Sequence, residues 1–301
     1  MKTNKLAVFA AIIIIIVAFL AVRFFMEGNA NVLESATRYI TDKTVGLVPG
    51  SAADDWKAMI LARTGEGEDM LREYSADLHE YIAGKAGVLH KTRYTEYSRL
   101  VIVSYYLGED PYNINGYDIV SPLHDAEIAS KQGVNGAAWA LMALDLVGSD
   151  DAYSREYYIA YMLDAQNEDG SIGSLAGSEV DMTAMALRSL APYCDRREVA
   201  EACERGVAFL AARQSESGGF ETAYGESSES IAQVILALDA LGLDINDERF
   251  DADTSLYDAL LSYRNRDGGF AHTKDGKSDL IATEQAIFAL LQIDSDSEVT
   301  G

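Results

Sequence analysis

A Gly-rich turn recurs three times in the C-terminal half of the chain, at spacings of 48 and 50 residues. The copies are Gln166-Asn167-Glu168-Asp169-Gly170-Ser171-Ile172, Gln214-Ser215-Glu216-Ser217-Gly218-Gly219-Phe220 and Arg264-Asn265-Arg266-Asp267-Gly268-Gly269-Phe270. A period of this length marks an array of like units, none of which buries its apolar face alone, so neighbours must stack. After each turn apolar residues return at helical spacing, over Glu179 to Leu190, Glu229 to Leu241 and Asp279 to Leu291. Small residues recur along them (Ala184 and Ala186, Ala232 and Ala237, Ala286 and Ala289), as closely packed helices require. Another helix precedes each turn, near 153–166, 197–213 and 253–264, so one repeat is helix, turn, helix.

The N-terminal half keeps the rhythm with weaker turns. Helices are expected near 31–43, 52–64, 68–83, 92–107, 116–127 and 134–147, punctuated by Val48-Pro49-Gly50, Gly84, Gly108-Glu109-Asp110-Pro111 and Gly148. With the six later helices this makes twelve. No stretch alternates apolar and polar residues long enough to make a sheet, so the chain is all-α. Consecutive hairpins form either an open superhelix or a closed two-layer ring, and periodicity alone does not choose between them.

The turns of Asp-Gly-Gly-Phe type, each leading into a helix with a Gln or Thr-Ala near its start, resemble the prenyltransferase and squalene-oxidase repeat. That superfamily includes terpenoid cyclases, protein prenyltransferase β-subunits and the intrinsic-factor/transcobalamin group. Thr95-Glu96-Tyr97-Ser98-Arg99, Asn115-Gly116-Tyr117-Asp118 and Lys131-Gln132-Gly133-Val134-Asn135-Gly136 look like segments of its bacterial secreted members, so the resemblance covers roughly residues 50 to 293. It implies an α/α toroid of about six helical hairpins, an α6/α6 barrel. The ring itself does not name a function, because one fold serves catalysis, binding and scaffolding.

Ahead of the toroid lies an apolar run from Leu6 to Val22, preceded by Lys2 and Lys5 and closed by Arg23. Its length sits at the lower limit for a membrane span, and Phe24, Phe25 and Met26 extend it. The flanking lysines place the rest of the chain outside the cytoplasm. No convincing cleavage site comes soon after it, the best being Gly28-Asn29-Ala30, so a retained signal anchor is favoured over a secreted form. The expected division is an anchor over 1–26, a juxtamembrane helix and linker over 27–50 that doubles as a candidate first toroid helix, the toroid over 51–293, and an acidic tail over 294–301.

With 24 Lys and Arg against 48 Asp and Glu, the net charge of −24 argues against nucleic acid as a partner and against docking on anionic lipid heads. The membrane is met through the N-terminal helix only. Cys194 and Cys203 are expected to stay free thiols. If Asp195 caps the helix holding Cys203, the Cα atoms are over about 10 Å apart, beyond the roughly 7 Å limit for a bridge. No metal site is expected: His79, His90, His124 and His272 lack ligand-like spacing to either Cys, and Asp169, Asp267, Asp275 and Asp279 do not match a calcium-loop spacing. The Gly pairs 218–219 and 268–269 lack the lysine and the Gly pattern of a phosphate loop and are explained by turns needing positive φ.

Two site readings remain. In class II terpene cyclases an Asp-x-Asp-Asp-Thr-Ala motif supplies the acid that protonates an alkene, and the matching stretch here is Glu179-Val180-Asp181-Met182-Thr183-Ala184. The resemblance puts Asp181 at the proton donor and Glu179 at the first acid, but Met182 replaces the last, and such cyclases usually carry a second helical domain. The same stretch also looks like the corrinoid-facing helix start of the intrinsic-factor group, with Met182 as an inserted residue; the C-terminal β-domain of those carriers is missing. Gln233 and Gln285, at equivalent helix starts, suit the rim amides of such a ligand, or cap a neighbouring turn. The favoured reading is a membrane-anchored, extracytoplasmic, non-catalytic module that binds a small-molecule ligand or a protein partner, a cobalamin-like corrinoid being the best-named ligand. Asp181, Thr183, Gln233, Gln285 and Asn135 are its candidate binding residues. The alternative is a cyclase with Asp181 as general acid, marked by a deep aromatic-lined cavity in place of a shallow polar mouth. Trp56, Trp139 and the run Tyr153, Tyr157, Tyr158 and Tyr161 read as packing.

Overall fold

The computed structural model describes residues 28, 31–173, 177–250 and 252–299, with 294–299 by backbone only. The anchor segment 1–26 lies outside the described residues, and among those described no helix is long and apolar enough to cross a membrane. The described residues form twelve α-helices: α1 (31–43), α2 (Ala52–Thr64), α3 (Glu68–Gly84), α4 (Thr95–Tyr106), α5 (Ala126–Ala129), α6 (Gly133–Leu146), α7 (Ala152–Asp164), α8 (Glu179–Leu190), α9 (Arg197–Ala212), α10 (Ser228–Ala240), α11 (Leu256–Leu261) and α12 (Leu280–Val299).

Each even-numbered helix packs on the next, from α2 to α4, α6, α8, α10 and α12, and α12 returns to α2. The inner ring is therefore closed. Its contacts run through small residues: Ala184, Ala186, Ala232, Ala237, Ala286 and Ala289 are all at 0% exposure, which lets the helices approach closely. The odd-numbered helices form the outer layer, with α3, α7, α9 and α11 each against an inner neighbour.

The recurrent turns fasten the two layers. Gly170, Gly218 and Gly268 have φ of +92°, +80° and +90°. A Cβ on them would lie 2.4, 2.7 and 2.5 Å from the carbonyl oxygens of Arg205, Thr254 and Ser35. Only glycine meets both demands, the left-handed backbone and the close approach. The third of these contacts is to α1, as are the bonds from Arg264 to Ser35 Oγ (2.7 Å) and from Tyr39 Oη to the Ser278 carbonyl (3.2 Å). Residues 31–43 thus complete the outer layer where the last repeat meets the first. Each turn also closes as a β-bridge, Gln166 with Ile172, Gln214 with Phe220 and Arg264 with Phe270.

Four expectations are corrected. The helix expected over 116–127 is mostly a turn, since Asn115 and Gly116 take positive φ and Asp118 Oδ1 accepts from the amides of Val120 and Ser121. The chain then continues through a 3-10 turn over Ser121–His124 into the single turn α5. The helix expected over 253–264 shrinks to α11, and a two-stranded ribbon, Phe270–Ala271 with Ser278–Asp279, appears where no strand was expected. Finally, Cys194 and Cys203 are both free thiols, as expected, but the wide separation expected of them is not found: 3.4 Å lies between their sulfurs. Helix α9 starts at Arg197, after Asp195, and the 3-10 turn Ala191–Tyr193 folds Cys194 back on its second turn.

Candidate functional site

The inner helices surround a cavity of about 350 Å³. Trp56, Tyr106, Trp139 and Phe288 line it together with Met59, Ile102, Met142 and Leu146. The indole rings of Trp56 and Trp139 meet at 4.9 Å between centroids, and Trp56 meets Phe288 edge-on at 5.9 Å. The two tryptophans, expected to serve packing, are also the cavity wall. The aromatic faces carry partial negative charge, so the space suits an apolar body and favours a cation formed within it.

Two guanidinium groups enter this apolar space. Arg63 lies 5.4 Å from the Tyr106 ring centroid and 5.9 Å from that of Phe288, and donates to Gln292 Oε1 at 2.9 Å. Arg188 has neither hydrogen bond nor ion pair among the described residues. Burial, and then the like charge of Arg63, hold its guanidinium below the ordinary value, against the opposing influence of Tyr106 and Asp239. The cavity carboxylate, Asp145, is engaged elsewhere, by Arg155 Nε and Tyr193 Oη, both at 2.7 Å. Sequence reasoning missed both arginines, because nothing in their local motifs distinguishes them.

Of the expected site residues, Gln233 and Gln285 line the cavity and bond to each other, Gln233 Nε2 donating to Gln285 Oε1 at 2.5 Å. Asp181 belongs to the same helical face as Arg188, since residues 181, 185 and 188 have the i, i+4, i+7 spacing. At 1.5 Å per residue it lies roughly 10 Å further toward the N-terminal end of the ring. Its Oδ1 is buried without a partner among the described residues. Burial pushes its carboxyl above the usual range; a hydrogen bond from Ser230 opposes this, Glu229 adds to it and His272 again opposes. Glu229 in turn holds His272 Nδ1, at 2.9 and 3.0 Å.

The remaining candidates are placed elsewhere. Thr183 is fully buried and accepts the Ile172 amide at 2.9 Å, as Thr283 accepts the Phe270 amide in the last repeat. Glu179 accepts from the Gly177 amide at 2.8 Å. Asn135 lines a separate cavity of about 310 Å³ with Gln132, Tyr161 and Met182. A second buried acid was not foreseen: Glu284 is 2% exposed, its Oε1 has no partner among the described residues, and burial raises its pKa to about 8 against the pull of Lys57. No cluster of potential metal ligands occurs among the described residues.

The family model for the prenyltransferase alpha-alpha toroid domain matches residues 123–232 and 230–300. Drimenyl diphosphate synthase of Streptomyces showdoensis is 30% identical over 136 residues, which are 43% of this chain and 25% of that protein. The chain thus spans about a quarter of the length of this curated relative. Among solved structures, the Y157F variant of the type II terpene cyclase MstE from Scytonema superposes with a TM-score of 0.62 at 12% identity, over 90% of this chain and 98% of that one. Unsaturated glucuronyl hydrolase of Bacillus sp. GL1 gives 0.61 at 14% identity, over 89% and 96%. At such identities these likenesses show the fold alone. Neither the cavity nor these relatives supports a corrinoid ligand or a non-catalytic role.

Proposed function

Because the chain belongs to the prenyltransferase alpha-alpha toroid family, we propose that it is a terpenoid-cyclase-like enzyme acting on an isoprenoid chain, with Asp181 as general acid. The observation that carries this reading is the apolar, aromatic-lined cavity inside the ring, with Asp181, whose carboxyl burial pushes above the usual range, on the helical face of Arg188 below it. The names of the relatives, a drimenyl diphosphate synthase and a type II terpene cyclase, support the same chemistry.

In that reaction the π pair of a substrate alkene takes the Asp181 proton, forming a C–H bond and leaving a carbocation on the neighbouring carbon. A second alkene attacks the cation and closes a ring, and loss of a proton from an adjacent C–H regenerates an alkene, with no net change in composition. Burial pushes the Asp181 carboxyl toward its protonated form, the form the reaction needs. The ion pair it leaves is stabilised by Coulomb attraction in a low-dielectric interior and by the Ser230 hydrogen bond. Trp56, Trp139 and Phe288 supply π faces for the migrating cation. Met182 stands where the resemblance expects another acid, so Ser230, Glu229 and His272 are the groups that tune Asp181. The anchor expected over 1–26 belongs to the proposal: it holds the ring beside a bilayer, where isoprenoid chains partition.

The test is incubation of the full-length protein with squalene, farnesyl diphosphate and geranylgeranyl diphosphate in deuterated buffer, with products analysed by mass spectrometry. A cyclic isomer carrying one added deuterium, absent with Asp181→Asn, is the expected result. No cyclic product from any of these substrates, or full turnover by the Asn variant, would overturn the proposal.

A further inference from the structure

We infer that one half of the ring's N-terminal end, built by the α1–α2, α3–α4 and α11–α12 connections, is a docking surface for an anionic bilayer. The inference stands apart from the catalytic reading, because it concerns the outside of the ring.

The total charge of −24 speaks against such a surface, but the fold separates the charges. Apart from Lys2 and Lys5 the chain has seven lysines, and six of them lie where an odd-numbered helix hands over to an even-numbered one. Lys43 ends α1, Lys85 follows α3, Lys91 precedes α4, Lys131 precedes α6, and Lys274 and Lys277 precede α12. The seventh, Lys57, is buried and paired with Asp54 at 2.9 Å. All these handovers stand at the end of the ring where the inner helices begin. Exposed aliphatic side chains gather at the same end. Val45 is fully exposed and Val48, Val88 and Ile281 are more than half exposed, while no other Val, Leu, Ile or Met among the described residues is exposed to that degree.

The three connections adjoin, since α12 packs on α2 and α2 on α4. The Tyr81 ring lies against Gly50, so the first two touch, and Tyr39 Oη donates to the Ser278 carbonyl, tying α1 to the ribbon. Residues 85–93 include Lys85, His90, Lys91 and Arg93 and no acid, and residues 264–277 hold two lysines and two arginines against Asp267 and Asp275. Across the same end, residues 166–179 and 213–226 hold six acids and one base. A charge distribution of this kind turns the basic half toward a negative surface.

Composition selects the occupant. Protein interfaces are rich in Tyr, Trp and Arg and poor in Lys. A lipid surface suits the reverse, with ammonium groups on anionic heads and aliphatic tips in the interfacial layer. The exposed tyrosines, Tyr105, Tyr112, Tyr153 and Tyr224, all lie outside the three connections.

The test is hydrogen–deuterium exchange of the full-length protein on nanodiscs of phosphatidylcholine, alone or mixed with phosphatidylglycerol, at low and high salt. On the anionic discs at low salt, exchange over 44–48, 85–93 and 272–281 should slow together by at least about fivefold, with 166–179 and 213–226 unchanged. High salt or neutral discs should abolish the slowing, because the attraction is between screened surface charges. Lys91→Glu/Lys274→Glu/Lys277→Glu should lose it at an unchanged melting temperature, all three side chains being exposed. Val45→Ser/Val88→Ser should weaken it at unchanged charge. Comparing two lipids cancels whatever residues 1–26 contribute to attachment, and no turnover is read, so the result is independent of the proposed enzyme activity. Equal exchange on both kinds of disc, or slowing that survives the charge reversal, would overturn the inference, and free exchange on both would leave the surface to a protein partner.

Discussion

The side-chain amide of Gln233 donates to that of Gln285 at 2.5 Å, joining α10 to α12 in the wall of the aromatic cavity. The two residues occupy equivalent places in successive repeats, one helical turn after Glu229 and Ile281, and Met185 holds the same place in α8 after Asp181. They form a layer between the acid end of the ring and its arginine end. Under the proposed function, this layer sets how far an apolar chain must reach to meet Asp181.

Gln285→Leu alone leaves the Gln233 amide without its partner in a mostly apolar wall, at a cost of about 1–3 kcal/mol. The double variant Gln233→Leu/Gln285→Leu removes both polar groups and should recover most of that loss. Urea unfolding of the four proteins measures the coupling. A double variant as unstable as the sum of the singles would mean that the pair does not act as a unit.

Glu284 makes stability depend on pH in a definite direction. Its folded pKa, about 8, lies above the ordinary 4.5, so the folded chain holds this proton more tightly than the unfolded one does. The stabilisation is complete below the unfolded pKa and is lost as pH rises through the folded value. At about 1.4 kcal/mol per tenfold change in proton affinity, the ceiling is about 4–5 kcal/mol, before relaxation and the nearby Lys57 reduce it. Glu284→Gln should therefore melt above wild type at pH 8.5, with the gap shrinking toward pH 5. A gap independent of pH would show that the acid is already charged in the folded ring.

Arg99 lies in one of the segments that carry the family resemblance, and its partners are structural. Its Nε meets Asp55 Oδ2 at 2.6 Å, while Asp55 Oδ1 accepts from Tyr74 Oη at 2.6 Å and from the Gly50 amide at 2.9 Å. Asp55 is fully buried, so Arg99→Met strands its charge and should cost about 3–5 kcal/mol. Tyr74→Phe removes one bond to the same carboxylate and should cost less, about 1.5–3 kcal/mol. Thermal unfolding of both variants checks the order, and equal losses would place the burden on the tyrosine packing instead.

How far the sequence could be read depends on the range of each signal. Gly170, Gly218 and Gly268 announce their hairpins because a positive φ against a neighbouring carbonyl excludes every other residue. The alanines of α8, α10 and α12 announce the inner faces for a similar reason, since they are fully buried where the helices pack closely. Closure was illegible in the periodicity, because α12 meets α2 across more than two hundred residues, and only the family resemblance implied it. The Asn115-Gly116 turn overrode an apolar spacing that looked helical. At the site, Asp181 stood out through its neighbours in sequence. Arg63 and Arg188 did not, because what sets them apart is the cavity into which the ring gathers them, a property of the fold and not of their neighbours in sequence.

The thiols of Cys194 and Cys203 lie 3.4 Å apart, near enough that a small shift forms a bond. Oxidation by a small disulfide such as oxidised glutathione proceeds through a mixed disulfide at the more exposed Cys194 and release of one thiol. Attack by Cys203 then releases the second, so two protein thiols are oxidised and one disulfide is reduced. Burial raises the Cys203 thiol well above its ordinary value, so the second step should be slow at neutral pH and faster in alkali. The bridge would tie the Ala191–Tyr193 turn, whose Pro192 lines the cavity, to α9. A loop this short should gain about 2–3 kcal/mol. Non-reducing peptide mapping should find the pair linked after oxidation, and the melting temperature should fall when a reductant is added, with Cys194→Ser indifferent to both. If instead the oxidant leaves only glutathione on Cys194, α9 holds Cys203 too rigidly for the sulfurs to meet.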